Sequence, residues 1–363
     1  MIRLTVPTIE EDDLAAVSEA LATGFLVQGR RVEAFETVLA ERIGVDEAVA
    51  LSSGTAALHL SLLALGVGPG DRVAVPAYSF IASANVVEIC GATPVFLDIE
   101  AETFALDPAR LADALRRYRL RAILPVHPFG HLADMPAIRE AAGDIPVVED
   151  GAAALGAMLN GKPGGTWGTL GCFSFHPRKA ITTGEGGAVT TNDQGLARRI
   201  RALRNHGQDP ASPTPDFVVA GLNYRMTEFQ AALGSSQMAK LDRIIEGRRA
   251  AAGRYDTMLS GTPIRPPIRR AGSEPVYQSY VVLLPEGTSR DRVIVELRRQ
   301  EIEAQIGTWH MPLARYYHER YGYRAGDFPV TDSVFARTLT LPLHPSIPEP
   351  DQAFVVDRLL ALL

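Results

Sequence analysis

Lys179 is the residue whose type and position most clearly suggest covalent chemistry. It follows a mostly apolar run, 171–175, and precedes a glycine-rich turn, 184–187. Most lysines are solvated and take no part in catalysis. A lysine at the end of a buried strand is desolvated, which lowers its pKa, and a neutral amine can form a Schiff base with an aldehyde. A solvated lysine and a nucleophilic amine are both compatible with this pattern alone.

The Ser53-Gly54-Thr55 segment leads directly into an apolar helical pattern at 56–65. The N–H groups in the first turn of a helix have no partner within the helix and carry partial positive charge, and glycine lets an anion approach the backbone closely. The segment therefore has the features of a phosphate site. A plain helix cap by the Ser53 hydroxyl explains the same residues equally well.

Asp150 and Phe80 add two further groups at the ends of predicted strands. A carboxylate buried at the end of an apolar strand needs a cationic partner, such as a protonated ring nitrogen. Phe80 could lie flat against an aromatic ring, although an aromatic residue in this place is more often part of the core. A phosphate-binding helix start, a carboxylate, an aromatic side chain and a lysine together match the requirements of pyridoxal phosphate. The residues thus predict this cofactor.

Two other phosphate-binding patterns are incomplete or absent. The segment 156–162 contains the glycines and lysine of a P-loop, but Pro163 stands where a magnesium-binding Ser or Thr is required. Asn160-Gly161 within it is better explained as a hairpin turn. No Gly-x-Gly-x-x-Gly fingerprint follows a predicted strand, so nucleotide hydrolysis and nicotinamide chemistry are both disfavoured.

The elements that must position these groups are short β-rich runs alternating with longer helical patterns. Apolar strands joined by helices indicate a mainly parallel sheet that is buried on both faces. In such sheets ligands bind beyond the carboxyl ends of the strands, where the four groups described above lie. The predicted strands are 48–51, 73–75, 94–97, 122–126, 146–148, 171–175 and 187–191.

Signals for helix ends and for a hinge divide the chain into two domains. Thr8 followed by Glu11 resembles a capping box and predicts the start of a first helix. The segment 262–275 is rich in Pro and Arg and predicts a hinge. We expect a large cofactor-binding α/β domain at 1–245 and a smaller C-terminal α+β domain at 246–363. Other predicted elements near and beyond this boundary are a helical region at 230–249, a strand at 280–284, and helices at 290–299 and 351–362.

Composition and charge limit the possible partners and location. The 363 residues include 46% hydrophobic and 21% charged residues, with a formal net charge of −6. This balance argues against nucleic acid or an anionic membrane as partner, and no apolar run is long enough to span a membrane. Cys90 and Cys172 lie in apolar surroundings without metal-ligand spacing. We therefore expect two core thiols, no metal site and a cytoplasmic location.

The sequence resembles the DegT/StrS-like family of nucleotide-sugar aminotransferases, which are fold-type I pyridoxal-phosphate enzymes. The likeness spans nearly the whole chain, and the lysine segment with the following Gly-Glu-Gly-Gly is its most specific part. The matching segments are Ser53-Gly-Thr-Ala-Ala-Leu58, Pro76-Ala-Tyr-Ser-Phe80, Glu149-Asp150, Phe173-Ser-Phe-His-Pro-Arg-Lys179, Gly184-Glu-Gly-Gly187 and Gly221-Leu-Asn-Tyr-Arg-Met-Thr-Glu-Phe-Gln230.

The resemblance implies a fold and several catalytic roles. The fold is a mainly parallel central sheet flanked by helices, with a smaller C-terminal α+β domain. Lys179 would form the internal aldimine and carry the proton between cofactor and substrate. Asp150 would keep the pyridine nitrogen protonated, and Phe80 would stack on the ring.

The resemblance also implies a shared phosphate site. Backbone groups of Gly54 and Thr55 and the hydroxyl of Ser174 would bind the cofactor phosphate. Asn223 would reach the same phosphate from the neighbouring subunit, so a homodimer is expected.

For the substrates, the resemblance implies glutamate as amino donor and a nucleotide-linked hexose in its 4-keto or 3-keto form as acceptor. Tyr78, Trp309 and His310 are the expected substrate contacts. The position three residues after Asp150 usually holds Gln, His or Glu in the family, whereas this chain has Ala153. Because of this departure, the surroundings of the cofactor ring and the choice of substrate are expected to differ from those of other family members.

Two other functions remain compatible with the sequence. Another class of pyridoxal-phosphate enzyme, such as a cysteine desulfurase, would need a nucleophilic cysteine on a mobile loop, whereas Cys90 and Cys172 are expected to be buried. A binding or regulatory protein could keep the cofactor site without turnover. A glutamate half-reaction would distinguish transamination from this last function.

Overall fold

The computed structural model describes residues 1–363 as thirteen α-helices and fifteen strands, with 3-10 turns at 128–130 and 311–313. The helices are α1 (Glu11–Ala22), α2 (Arg30–Ile43), α3 (Gly54–Ala64), α4 (Ala82–Ile89), α5 (Pro108–Arg117), α6 (Met135–Ala142), α7 (Gln194–Arg204), α8 (Glu228–Met238), α9 (Leu241–Leu259), α10 (Arg290–Arg299), α11 (Arg315–Tyr321), α12 (Pro329–Arg337) and α13 (Glu349–Leu360). The strands are β1 (Glu47–Leu51), β2 (Arg72–Pro76), β3 (Tyr78–Ser79), β4 (Thr93–Leu97), β5 (Ala122–Ile123), β6 (Val148–Asp150), β7 (Met158–Leu159), β8 (Lys162–Pro163), β9 (Leu170–Ser174), β10 (Gly187–Thr191), β11 (Ser273–Glu274), β12 (Tyr280–Leu283), β13 (Gln305–Ile306), β14 (Trp309–His310) and β15 (Thr338–Leu341).

Seven strands form the central sheet in the order β1-β10-β9-β6-β5-β2-β4. β6 pairs with β9, and β2 pairs with β4 and β5, all in parallel. Parallel bridges from Ile123 to Val147 and from Val126 to Asp150 join the two halves of the sheet. β10 runs antiparallel to both of its neighbours, β1 and β9. The predicted mainly parallel α/β sheet is therefore confirmed, with β10 as its one antiparallel strand.

The strands of the central sheet are apolar because both faces of the sheet pack against helices. In β1, Ala48 and Ala50 belong to one hydrophobic core, while Val49 and Leu51 belong to the other. Successive side chains of a strand point to opposite faces, so a single run of residues contributes to both cores. This arrangement explains the uninterrupted apolar runs in the sequence.

The first helix begins later than predicted. The N-cap of α1 is Glu10, whose backbone N–H donates to the Asp13 carboxylate at 2.9 Å, so the predicted capping box from Thr8 to Glu11 is wrong. Asp13 also accepts a hydrogen bond from the Gln237 side chain at 2.8 Å and forms an ion pair with Lys240. Contacts with α8 and with the start of α9 thus fix where α1 begins.

Several other boundaries differ by a few residues. β6 covers 148–150 rather than 146–148, so Asp150 is the last residue of the strand instead of lying beyond it. The helical region predicted at 230–249 consists of two helices, α8 and α9, separated at residues 239–240. The predicted hairpin at Asn160-Gly161 is confirmed between β7 and β8, with both turn residues in the left-handed conformation.

The C-terminal part of the chain builds a second layer around its own core. β12, β15 and β13 form an antiparallel sheet that packs with α10 and α13. Residues 241–245 of α9 contribute to a core of the large sheet, whereas residues 251–259 contribute to this third core. The domain division at 245/246 lies within α9 and stays a prediction, and the change of core along this helix supports it.

Both cysteines are buried and unpaired, as predicted. Among the thirteen helices, none combines the length and the apolar character that crossing a bilayer requires.

Candidate active site

Lys179 lies in the loop that connects β9 to the antiparallel strand β10. Its backbone N–H donates to the carbonyl oxygen of His176 at 2.8 Å, which tightens the loop. Burial lowers the pKa of the Lys179 amine below its ordinary value, the nearby Asp150 carboxylate opposes this shift, and the Arg178 guanidinium adds to it. The loop therefore presents an amine that loses its proton more easily than a solvated lysine does.

Asp150 ends β6 at the carboxyl edge of the central sheet, with 5% of its surface exposed. The Ser83 hydroxyl donates to its Oδ2 at 2.7 Å, and the Ala152 N–H donates to its Oδ1 at 3.2 Å. Ser83 is itself hydrogen-bonded to Ser79. The carboxylate is thus held in one orientation, as a partner for a cationic group must be.

Glu149 precedes Asp150 and points to the opposite face of the strand. Its carboxylate accepts hydrogen bonds from the N–H groups of Gly165, Trp167 and Gly168 at 2.6–2.9 Å. It also accepts one from His127 Nε2 at 2.9 Å, since the Nδ1 of that ring accepts from the backbone N–H of residue 133. Glu149 therefore anchors the 165–168 loop, a role that the sequence analysis missed although strand alternation could have separated it from Asp150.

The start of α3 is compatible with both interpretations of the Ser53-Gly54-Thr55 segment, a helix cap and a phosphate site. The Ser53 hydroxyl caps the helix by accepting from the Ala56 N–H at 3.0 Å, while Gly54 and Thr55 occupy the first helical turn, where N–H groups lack partners within the helix. A Cβ on Gly54 would lie 2.8 Å from the Cβ of Ser174. The glycine thus brings the helix start against the hydroxyl-bearing end of β9, as an anion cradle requires.

Two aromatic rings lie beside this edge of the sheet. Phe80, which follows β3, is 62% exposed, and Trp309 of β14 is 51% exposed. β3 and β14 form a two-stranded ribbon, called here the β3–β14 ribbon, in which Trp309 pairs with Ser79. Directly paired residues share a face, so Trp309 lies on the side of the ribbon from which Ser79 contacts Ser83, the partner of Asp150.

Tyr78 and His310 form the other pair of the ribbon and point to its opposite face. Tyr78 is 1% exposed, its hydroxyl lies 2.7 Å from the Thr338 hydroxyl, and burial raises its pKa to about 12. His310 is 3% exposed and its Nε2 lies 2.8 Å from an oxygen of Asp332. Of the three expected substrate contacts, Trp309 lies on the face of the ribbon that is nearer to Asp150. Tyr78 and His310 are buried on the opposite face.

Asn223 is exposed on a loop that is hydrogen-bonded to Ser52, two residues before α3 begins. The Ser52 N–H donates to the carbonyl of Tyr224 at 2.9 Å, and the Leu222 N–H donates to the carbonyl of Leu203 at 2.7 Å. The loop therefore lies next to the segment that leads into α3, but Asn223 itself faces outward. This position is compatible with its expected contact to a neighbouring subunit.

The arrangement fits pyridoxal phosphate on chemical grounds. It offers an amine with a lowered pKa near an oriented carboxylate, an exposed aromatic ring, and a helix start that a side chain at Gly54 would block. Gly187 adds to the fit, because a Cβ there would lie 2.3 Å from the carbonyl oxygen of Ser53. Lys179, Asp150, Phe80, Gly54, Thr55 and Ser174 are the residues that would hold the cofactor.

Curated relatives resemble the chain over nearly its full length. GDP-perosamine synthase from Caulobacter vibrioides is 39% identical, with 100% of this chain and 97% of that protein aligned. UDP-N-acetyl-3-dehydro-alpha-D-glucosamine 3-aminotransferase from Acidithiobacillus ferrooxidans is 36% identical, with 96% and 93% aligned.

Solved structures share the same architecture. Spr1654 from Streptococcus pneumoniae, solved in forms with pyridoxamine phosphate and with pyridoxal phosphate, superposes with a TM-score of 0.94 at 29% identity over 99% of this chain and 97–98% of that one. DesV of S. venezuelae superposes with a TM-score of 0.90 at 35% identity over 96% and 93%.

The model of one protein family matches residues 7–360. Its members are pyridoxal-phosphate-dependent enzymes. The arrangement of residues at the carboxyl edge of the sheet is compatible with that cofactor. The chain belongs to the DegT/DnrJ/EryC1/StrS aminotransferase family.

Proposed function

We propose that this enzyme transfers an amino group from glutamate to a keto group of a nucleotide-linked hexose, with Lys179 as the covalent anchor of the cofactor and as the base. The observation that carries this proposal is the setting of Lys179. Burial lowers the pKa of its amine, and the Asp150 carboxylate lies close enough to oppose that shift. An amine of lowered pKa is a better nucleophile and proton acceptor at neutral pH.

The residues of the chain would hold the cofactor in one orientation. When bound, pyridoxal phosphate supplies an electron-withdrawing ring that stabilises negative charge on the substrate carbon. Asp150, fixed by Ser83, would keep a proton on the ring nitrogen. Phe80 would cover one face of the ring and exclude water from it, which its exposed position allows.

The phosphate group would be bound at the start of α3. The N–H groups of Gly54 and Thr55 lie in the first turn of the helix, where the helix dipole favours negative charge. The Ser174 hydroxyl would donate a further hydrogen bond from the adjacent end of β9. These contacts would hold the cofactor by its phosphate, while Asp150 would hold it by the ring nitrogen.

Lys179 would move the protons of both half-reactions. Its Nζ would accept the α proton of glutamate and later deliver a proton to the sugar carbon that receives the amino group. One general base in one position is sufficient, because the two half-reactions are the same chemistry run in opposite directions. The loop between β9 and β10 would keep that base beside the sheet edge.

A homodimer with shared active sites is part of the proposal. Several large apolar side chains lie exposed in two segments, namely Phe25, Leu26, Val27, Phe217 and Val218. Apolar groups clustered on the surface are typical of protein interfaces. Asn223, exposed close to the second of these segments in the chain, would contact the cofactor phosphate bound by the other subunit.

The names of two relatives support a nucleotide-linked sugar as the acceptor. One relative is named for a GDP-linked product, and the other for a UDP-linked 3-dehydro sugar. Screening GDP-linked and UDP-linked 3-keto and 4-keto hexoses with glutamate as donor would identify the nucleotide and the carbon that is aminated.

The buried cysteines argue against desulfurase chemistry. Burial raises the pKa of the Cys90 thiol to about 11 and also raises that of Cys172. A thiol with a raised pKa is a poor nucleophile because the thiolate is the reactive form. Transamination is therefore the function that the site supports best.

The anchor residue can be tested directly because the chain has three lysines, at positions 162, 179 and 240. Borohydride treatment of the yellow holoenzyme should attach the cofactor irreversibly to the peptide that contains Lys179, as detected by mass spectrometry. Lys179→Ala should lose this adduct and the glutamate half-reaction. The exposed Lys162 offers a matched control, since Lys162→Ala should keep both.

An adduct that persists in Lys179→Ala would remove the proposed anchor. If glutamate leaves the visible spectrum of the holoenzyme unchanged, the proposal that glutamate is the amino donor is wrong.

A further inference from the structure

A short segment between β11 and β12, residues 276–278, makes direct contact with the loop that carries Lys179. The side-chain amide of Gln278 donates a hydrogen bond to the carbonyl oxygen of Arg178. That oxygen belongs to the peptide group between Arg178 and Lys179, and the Gln278 side chain is buried. A residue that lies far along the chain thus holds the peptide group that leads into the lysine.

Close backbone packing brings the same segment to the loop that follows Asp150. A Cβ on Gly130 would lie 2.8 Å from the backbone nitrogen of Gln278 and 3.1 Å from the carbonyl oxygen of Ala153. Tyr277 has a φ of 45°, a left-handed conformation that bulky residues rarely adopt. Such conformations persist only where the surrounding structure fixes them, and they are frequent at functional sites. The 276–278 segment is therefore held in one defined conformation beside both loops.

Arg248 of α9 binds the backbone of this segment. Its Nη1 donates to the carbonyl oxygens of Gln278 at 3.1 Å and of Tyr277 at 3.4 Å, and its Nε has no hydrogen-bond partner. The side chain is 2% exposed, and burial lowers its pKa to about 10 with no carboxylate opposing the shift. An apolar side chain of similar size would be more favourable for packing than a buried cation without a counter-ion. Packing alone therefore does not explain Arg248.

We propose that Gln278 is a positioning residue for Lys179 and that Arg248 acts through Gln278 by fixing its backbone. This inference rests on the proposed function, in which the Nζ of Lys179 moves the protons. Proton transfer requires a defined distance and direction, so a fixed peptide group before Lys179 limits where its Nζ can lie.

The place of Arg248 in α9 adds a structural consequence. Residues 241–245 of this helix contribute to a core of the large sheet, and residues 251–259 contribute to the third core. Arg248 lies between these two groups. The hydrogen bonds from Arg248 through Gln278 therefore link the junction of the two cores to the position of the base.

The rate of the glutamate half-reaction in the holoenzyme, followed by stopped-flow absorbance, tests Gln278. Gln278→Met keeps a similar side-chain size but has no donor. It should lower the rate constant at saturating glutamate about tenfold, which corresponds to about 1.4 kcal/mol, and leave the half-saturating glutamate concentration unchanged. Gln278→His provides a ring N–H of similar reach and should recover most of the rate.

Two adjacent arginines of α9 give a matched comparison. Arg248→Met should lower the same rate constant about tenfold. Arg249→Met is the control, because Arg249 also donates to backbone carbonyls of the neighbouring chain, but to those of Glu274 and Pro275. It should keep the wild-type rate constant. If Arg248→Met does not fold, the two Gln278 variants decide.

Hydrogen–deuterium exchange gives a measurement that does not depend on catalysis. The N–H of Lys179 donates to the carbonyl oxygen of His176 within the loop. In Gln278→Met this N–H should exchange about tenfold faster, because the loop opens more easily without its hydrogen bond to residue 278. Arg249→Met should leave the exchange of this N–H unchanged.

Three results would overturn the inference: a wild-type rate constant in Gln278→Met, a Gln278→His variant as slow as Gln278→Met, and an equal loss of rate in the Arg248 and Arg249 variants. Unchanged exchange of the Lys179 N–H in Gln278→Met would overturn it as well. If this exchange responds as expected but glutamate does not react with the wild-type holoenzyme, the positioning of the loop by Gln278 stands and the proposed function fails.

Discussion

At the carboxyl edge of the central sheet and in the β3–β14 ribbon, adjacent residues of similar chemistry lie on opposite faces. In β6, Asp150 faces the site while Glu149 anchors the loop at 165–168. In β14, Trp309 faces the Asp150 side while His310 is buried against Asp332. The two regions differ in what they hold, since the sheet edge carries the groups proposed to bind the cofactor and the ribbon carries an exposed ring. In both, position along the strand separates a binding group from a structural one more sharply than residue type does.

The largest expected effect concerns the two carboxylates of β6. Glu149→Gln should lower the free energy of unfolding by about 3 kcal/mol, because it removes a buried charge that accepts four hydrogen bonds and places an amide N–H among donors. Asp150→Asn should lower the rate of transamination at least about a hundredfold, roughly 2.7 kcal/mol, while changing stability much less. Urea unfolding of the cofactor-free variants and steady-state rates check the pair. Equal losses of stability in the two variants would contradict the assignment of faces.

A smaller effect distinguishes the two rings of β14. Trp309→Ala should raise the KM for the acceptor about fivefold, roughly 1 kcal/mol, with little change in stability because the side chain is half exposed. His310→Ala should leave that KM unchanged and lower the free energy of unfolding by about 1–2 kcal/mol, because it leaves Asp332 without this hydrogen bond. The comparison fails if His310→Ala raises the KM more than Trp309→Ala does.

The smallest expected effect is a pH dependence of the cofactor-free protein. The pKa of Lys179 is lowered in the folded state by burial, so the unfolded chain binds more protons between that lowered value and the ordinary value of 10.5. The free energy of unfolding should therefore rise with pH in this window, by at most about 1.4 kcal/mol per pH unit. Lys179→Met should remove this contribution. Urea unfolding over a pH series checks it, and an identical pH dependence in wild type and variant would contradict the burial of the amine.

The sequence was sufficient for the mainly parallel sheet and for the cofactor, while the roles of the residues at the strand ends stay predictions. Lys179, Asp150 and the α3 segment were accessible because strand ends, helix starts and glycine turns have local signals. The direction of β10 was not predicted, since hydrophobic pattern does not encode whether a strand runs parallel or antiparallel.

Long-range contacts explain the other differences. The faces of Tyr78, Trp309 and His310 follow from the pairing of β3 with β14, two strands far apart in the chain that are too short to show an alternating pattern. The start of α1 likewise depends on the contact of Asp13 with Gln237. No local window of sequence contains both partners of either contact.

Gly187 shows how the parts of the site can change independently. Its missing side chain lets β10 lie directly against the backbone of Ser53 and Gly54, so close main-chain contact sets the spacing between the lysine loop and the start of α3. The β3–β14 ribbon belongs to other elements. If Trp309 contacts the acceptor as expected, mutations in the ribbon would change acceptor preference while the spacing at the sheet edge stays the same.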